Sequence, residues 1–224
     1  LVESSGINLM NYTVEFWSNT GGMFYGLAKL SAAGIPTIAV LHGLSTAGGA
    51  YQPGMSDYVI GVKKNGMAAL AGPALLKAAT GEIALNEELG GSEMHARVTG
   101  LVEYLADDDE HALRIVRDLI DKIDWNTKIL KRESILYEEP IYDTKELIGI
   151  VSVDYKVPYD VRELIARIVD GSDFIDFKAE YGVSTVCVQT KINGYSCGII
   201  GNNGPIDPNG ATKSAQFIQL CDQS

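Results

Sequence analysis

Apolar and polar positions along the chain alternate between short buried-strand runs and amphipathic stretches, the rhythm of an α/β protein. Leu1 to Glu3 reads as a strand entering the polar turn SSGIN. Tyr12 to Ala33 has a partial apolar face of Phe24, Leu27, Ala28 and Leu30, which predicts a helix interrupted near Gly21 and Gly22. Ile35 to Gly43 is β-branched and aliphatic, predicting a buried strand that feeds the small-residue segment STAGGAY, Ser45 to Tyr51. SDYVIGVKK and AALAG predict two further strands, and GPALLKAATG a helix with Pro73 in its first turn and Gly81 as its stop.

After the acidic run Asp107 to Glu110, the residues Ala112, Ile115, Val116, Leu119, Ile120 and Ile123 recur at helical spacing. The acids complement the positive end of that helix, so the run is read as capping rather than metal binding. Asp124 to Thr144 is polar and of mixed charge, predicting a domain boundary near Glu138 to Asp143. Beyond it, VPYDVRELIARIVDG predicts a helix stopping at Gly171. STVCVQTKI and YSCGIIG flank Asn193 and Gly194, a hairpin signal because both turn residues tolerate positive φ. The loop NNGPIDPNG and a helix from about Ala211 to Cys221 follow.

Charge and composition narrow the partners. A net charge of -11 opposes diffuse binding to nucleic acid, although local amides or a few lysines can still hold an anionic ligand. Three widely spaced cysteines outside any CxxC pattern suggest neither a zinc site nor a disulfide framework, and fit a reducing compartment. The apolar runs fall well short of the ~20 residues of a spanning helix, so a soluble protein without membrane association is expected. The strand-like opening at Leu1 and the helical pattern running into CDQS are those expected of a piece of a longer chain.

Within STAGGAY, Gly48 and Gly49 remove side chains that would keep a ligand from the backbone. Their amides can face a substrate oxygen; a turn that simply packs a helix on a sheet has the same sequence. Ser45 lies outside a GxSxG elbow, which argues against a nucleophile. His42, His95 and His111 lack metal-ligand spacing and read as a packing residue, a structural hydrogen-bonder and a surface helix residue. No metal site is expected, and no GxGxxG follows a first strand.

The segments SAAGIPTIAVLHGLSTAGGAYQPGMSDYVI, AGPALLKAATGE, EELGGSEMHARVTGLVEYLADDDEHAL, ELIGIVSVDYKVPYDVRELIARIVDGSDFIDFKAEYG, NGYSCGIIGNNGPI and ATKSAQFIQLC stand in the order found in one family. The chain resembles the carboxyltransferase β subunits of biotin-dependent acyl-CoA carboxylases of the propionyl-, methylcrotonyl- and geranyl-CoA group. The resemblance implies an α/β, crotonase-like ββα-spiral fold, with parts of two tandem domains. Residues 1–140 would be the later part of the N-terminal carboxyltransferase domain and 141–224 the beginning of the C-terminal one.

It also implies a reaction, carboxyl transfer from carboxybiotin on a partner carrier to an acyl-CoA through an oxyanion-stabilised thioester enolate. Gly48 and Gly49 would stabilise the oxyanion, with Gly6 and Ile7 supplying a second donor loop. Ser45, Thr46, Ala47, Ala50 and Tyr51 would line the acyl-CoA site, and Lys77, read as lying near a helix start, would approach a CoA phosphate or stand as an exposed helical lysine. Asn202, Asn203 and Gly204 would lie on the biotin side. The implied partners are a biotin carboxylase and biotin carrier subunit, and further copies of the carboxyltransferase subunit in a hexamer. The location would be cytoplasmic in a bacterium and the mitochondrial matrix in a eukaryote. Two rivals are a crotonase-type hydratase, isomerase or decarboxylase working without biotin, and a non-catalytic CoA-binding scaffold.

Overall fold

The structure, a computed structural model, describes residues 1–4, 10, 13–123, 125, 136–154 and 156–223. Its contacts divide the chain into two compact units, Leu1–Val116 and Arg117–Ser224.

The first unit is built on a parallel sheet. β1 (Val2–Ser4), β2 (Ile38–Thr46), β3 (Tyr58–Val62) and β5 (Tyr104–Ala106) lie in that order, and β4 (Met67–Ala69) pairs with β2 away from this path. Besides β1, β2 is long enough to serve two partners: Ile38 to Leu41 pair with β3, and Leu44 to Thr46 pair with β4. Every residue of β3 is buried, as expected of a parallel strand covered on both faces. Leu41, Val59, Ala68, Ala96 and Val102 form one core cluster. Removing any of its larger members from water contributes roughly 1.5–3 kcal/mol.

The helices of this unit follow local capping rules. α1 (Val14–Ala32) starts where Thr13 Oγ1 accepts a hydrogen bond from Phe16 N. It runs without a break through Gly21 and Gly22, contrary to the interruption expected there. Two exposed helical glycines cost only about 1 kcal/mol each relative to Ala, which a 19-residue helix absorbs. α2 (Tyr51–Gly54) follows β2 closely, and α3 (Pro73–Thr80) begins with its proline and ends at Gly81, which has φ +80°. α4 (Asn86–Gly90) and α5 (Ser92–Met94) lead into a π-helical turn, His95–Thr99, closed by Gly100 in the left-handed region.

α6 (Asp109–Lys122) starts in the first unit and ends in the second. Asp108 Oδ1 accepts a hydrogen bond from His111 N, so the acidic run is a helix cap, as read from the sequence. Ala112 and Leu119 are fully buried, matching the predicted apolar face, while Ile120 is half exposed.

In the second unit, β6 (Phe174–Asp176), β7 (Thr185–Ile192) and β8 (Tyr195–Asn202) form an antiparallel sheet. The predicted Asn193–Gly194 turn joins β7 to β8, with φ of 52° and 78°. Both amides of that turn donate to the Asp170 carboxylate. α7 (Leu147–Ile150) and α8 (Val161–Ile165) are short. The helix expected to reach Gly171 stops at Ile165, yet Ile165 and Val169 still enter the core through turns. α9 (Pro208–Gln223) begins earlier than the sequence suggested, because the Asp207 carboxylate takes the Gly210 amide.

Phe217 of α9 packs on Phe177 at a centroid distance of 5.2 Å. Lys213 of α9 is completely buried, and its ammonium donates to the carbonyls of Lys178, Tyr181 and Thr185. Among the described residues no helix is long and apolar enough to cross a membrane.

Candidate functional site

STAGGAY is a strand-to-helix junction. β2 carries Ser45 and Thr46; Ala47–Ala50 form one turn of 3-10 helix, and Tyr51 opens α2. The reversal happens at Ala47, whose φ of 51° is unusual for a residue with a Cβ. The left-handed conformation costs an L-residue roughly 1–2 kcal/mol, and such strain persists only where the surroundings hold it. β1 and β4 do so: Ser4 is in register with Ser45 on one side, while Ala68 and Ala69 pair with Ser45 and Thr46 on the other.

Gly48 and Gly49, equivalent in the sequence, are not equivalent in space. Gly49 is buried, and a Cβ on it would lie 2.5 Å from Ser4 Cβ and 2.7 Å from Ser4 Oγ. Its missing side chain is required by packing against β1. Gly48 is exposed, and a Cβ there meets nothing within 4 Å. Neither residue has positive φ, so conformation does not demand glycine at Gly48 either. Among the described residues, no neighbouring loop or side chain accepts a hydrogen bond from the Gly48 N–H. The first turn of a helix leaves its leading amides without partners in that helix, so this donor is available to a ligand.

The remaining residues read as lining the acyl-CoA site divide by depth. Ser45 is fully buried, and its hydroxyl has no hydrogen-bond partner among the described residues. Burial closes Ser45 to attack on a substrate, in keeping with the lack of a nucleophile elbow. Ala47 is exposed, Thr46 and Ala50 are half-buried, and Tyr51 is exposed, with its ring edge-on to Phe24 at 5.4 Å. Lys77 sits in the last turn of α3, not near its start as expected, and is exposed. Its charge complements the carbonyl end of its own helix. Gly6 and Ile7 lie outside the described residues.

In the second unit the NNG loop is a pinned turn. The Asn203 side chain accepts from Val161 N at 2.8 Å and donates to Asp160 at 2.9 Å, capping α8. Asn202 is exposed and donates to the Gly204 carbonyl. Asn203 thus uses both ends of its amide to hold the start of α8.

The site's supports were hard to see in the sequence. The left-handed Ala47 carries no glycine or asparagine signal, and the Ser4–Gly49 contact joins residues 45 positions apart. Asp160, Arg162 and Asp176 form a further polar cluster beside Asn203. Asp160 is held below the usual carboxylate range: burial opposes this, but the Arg162 amide and the Asn203 side chain outweigh it. Asp176 is pushed upward by burial despite its Arg162 partner. Among the described residues no three His, Cys, Asp or Glu side chains converge on a metal site.

The carboxyl transferase domain family matches residues 1–224. A probable biotin-dependent acyl-coenzyme A carboxylase beta2 subunit of Mycobacterium tuberculosis is 47% identical over the whole chain, which covers 42% of that protein. The geranyl-CoA carboxylase beta subunit of P. aeruginosa is 51% identical, with a TM-score of 0.52 over 100% of this chain and 41% of its own. A transcarboxylase 12S structure, a hexamer with methylmalonyl-coenzyme A bound, is 32% identical with a TM-score of 0.87 over 99% of this chain and 44% of its own. The chain therefore spans less than half the length of these relatives. Because the family match runs from the first residue to the last, the chain belongs to the carboxyl transferase domain family, with its crotonase-like α/β fold.

Proposed function

We propose that this chain is part of the carboxyltransferase component of a biotin-dependent acyl-CoA carboxylase. Residues 1–140 are the later part of its N-terminal domain and residues 141–224 the beginning of its C-terminal domain. The substrate is an acyl-CoA of the methylcrotonyl, geranyl or propionyl type. The observation that carries the reading is Gly48: an exposed amide beyond a strained turn, at a glycine that neither packing nor φ requires.

Deprotonating the carbon α, or vinylogous γ, to a thioester moves negative charge onto the thioester oxygen. An oriented N–H aimed at that oxygen lowers the barrier by about 3 kcal/mol, because the bond strengthens as charge develops. The Gly48 amide is the first such donor, and Gly49 keeps the turn seated on β1. Gly6 and Ile7 are proposed as the second donor loop, and Thr46, Ala47, Ala50 and Tyr51 as the walls of the acyl site. Carboxybiotin on a partner carrier would supply both the carboxyl group and, through the ureido nitrogen that the transfer leaves free, the base that takes the substrate proton. A biotin carboxylase and carrier subunit and further copies of the carboxyltransferase complete the assembly, in the cytoplasm of a bacterium or the mitochondrial matrix of a eukaryote.

The test supplies the full-length protein with a carboxylated biotin carrier and a panel of methylcrotonyl-, geranyl- and propionyl-CoA. Carboxyl transfer to one of them is expected. Hydration, isomerisation or decarboxylation of an acyl-CoA with no transfer from the carrier would overturn the proposal in favour of a biotin-independent crotonase-type enzyme.

A further inference from the structure

We infer that His95 is a positioning residue for the Thr46–Gly48 turn, acting through the edge strand β4. This rests on the reading of that turn as the oxyanion donor.

β4 is three residues long and, among the described residues, pairs in the sheet only with β2. Its pairing covers the last residues before the turn: Leu44 with Met67, Ser45 with Ala68 and Thr46 with Ala69. A strand this short, hydrogen-bonded on one side, is a weak clamp unless its outward groups are also held. Two contacts do this. Met67 bridges to Gly91, and the carbonyl of Ala68 meets His95 Nε2 at 2.7 Å. Gly90 presses on the same carbonyl so closely that a side chain there would collide with it.

The chemistry fixes the direction of the bond. A carbonyl oxygen only accepts, so His95 Nε2 carries the proton. Nδ1 then faces Thr99 Oγ1 at 2.8 Å, and that hydroxyl also lies 3.3 Å from the His95 carbonyl, so the ring and its own backbone are tied to the same threonine. Thr99 Oγ1 meanwhile accepts from Leu101 N at 3.2 Å, which orients the hydroxyl. His95 and Thr99 are the two ends of the π-helical turn, a rare feature that is enriched at functional sites. The ring is held at both nitrogens and spans from the π turn to β4, where a further strand would otherwise lie.

The experiment uses the full-length protein with its carrier. His95→Leu removes the donor, while His95→Gln retains an N–H able to reach Ala68. Two readouts separate this inference from the function it rests on. Hydrogen exchange of the Ser45 to Thr46 and Met67 to Ala69 amides is expected to quicken at least ~10-fold in His95→Leu, leaving β3 unchanged, with protection restored in His95→Gln. In carboxyl transfer, kcat is expected to fall about 10²-fold in His95→Leu, with KM for the acyl-CoA nearly unchanged and most of kcat regained in His95→Gln. Should the leucine variant fail to fold, His95→Asn, whose amide is too short to reach Ala68, takes its place. Unchanged exchange in β4 overturns the inference whether or not the enzyme reading stands. Quickened exchange with wild-type kcat overturns the positioning role alone. If wild-type protein transfers no carboxyl group, the function fails, and the positioning role fails with it.

Discussion

Replacing Gly48 and Gly49 separately by alanine separates chemistry from packing in a turn where the sequence makes the two alike. At Gly49 the new methyl would sit 2.5 Å from Ser4 Cβ and 3.0 Å from the Ser4 carbonyl oxygen, well inside van der Waals contact. Backbone on both sides limits the escape, so an overpacking cost of about 1–3 kcal/mol is expected. In a unit of this size that corresponds to a fall in Tm of several degrees. At Gly48 the methyl meets no protein atom within 4 Å, and alanine is favoured over glycine in helical backbone by roughly 0.5–1 kcal/mol. Gly48→Ala should therefore melt at or slightly above wild type. Under the proposed function the methyl would crowd a thioester brought up to the Gly48 N–H, and an oriented donor that can no longer be reached costs about 10²–10³-fold in kcat. The assay pairs a thermal melt with carboxyl transfer on the full-length protein. Wild-type turnover in a folded Gly48→Ala variant would refute the reasoning, as would a Gly49→Ala variant as stable as wild type.

Three further outcomes follow from the same structure. Lys213→Met strands the carbonyls of Lys178, Tyr181 and Thr185 in the core and should cost about 3 kcal/mol or more, read as a lower midpoint in urea. Asn203→Ala removes the cap on Val161 N and the link to Asp160, and should cost about 1 kcal/mol in the same measurement. Asp107 is held below its ordinary value chiefly by its hydrogen bond to Lys63, so its contribution is present above the unfolded value and is lost as pH falls through the lower folded value. Lys63→Met should therefore raise the Asp107 pKa toward the ordinary carboxylate range, which carboxyl-carbon NMR titration would detect.

What the sequence disclosed follows the reach of each signal. Strand β3, helix α6 with its Asp108 cap, Gly81 as a stop and the Asn193–Gly194 hairpin were all legible, because each depends on residues within one turn or one apolar run. The unbroken α1 and the early end of α8 were not, since helix length there is set by what each end packs against. Gly48 and Gly49 were found as a pair, but their separate roles depend on Ser4, a neighbour only in space. Ala47 was hidden for the same reason, and His95, rightly read as a structural hydrogen-bonder, had a partner that the sequence does not name. A left-handed alanine leaves no mark in sequence, and the partner of His95 is a backbone carbonyl 27 residues away. Lys77 was misplaced within α3 although Pro73 and Gly81 mark both of its ends, since the fifth of its 8 residues already falls in the last turn.

The most direct measurement of the central claim is the position of a thioester oxygen. A crystal structure of the full-length protein with a bound acyl-CoA analogue that keeps the thioester carbonyl should place that oxygen about 2.7–3.1 Å from Gly48 N. A bound analogue whose carbonyl points away, with the Gly48 amide bonded instead to water or to another protein group, would contradict the account.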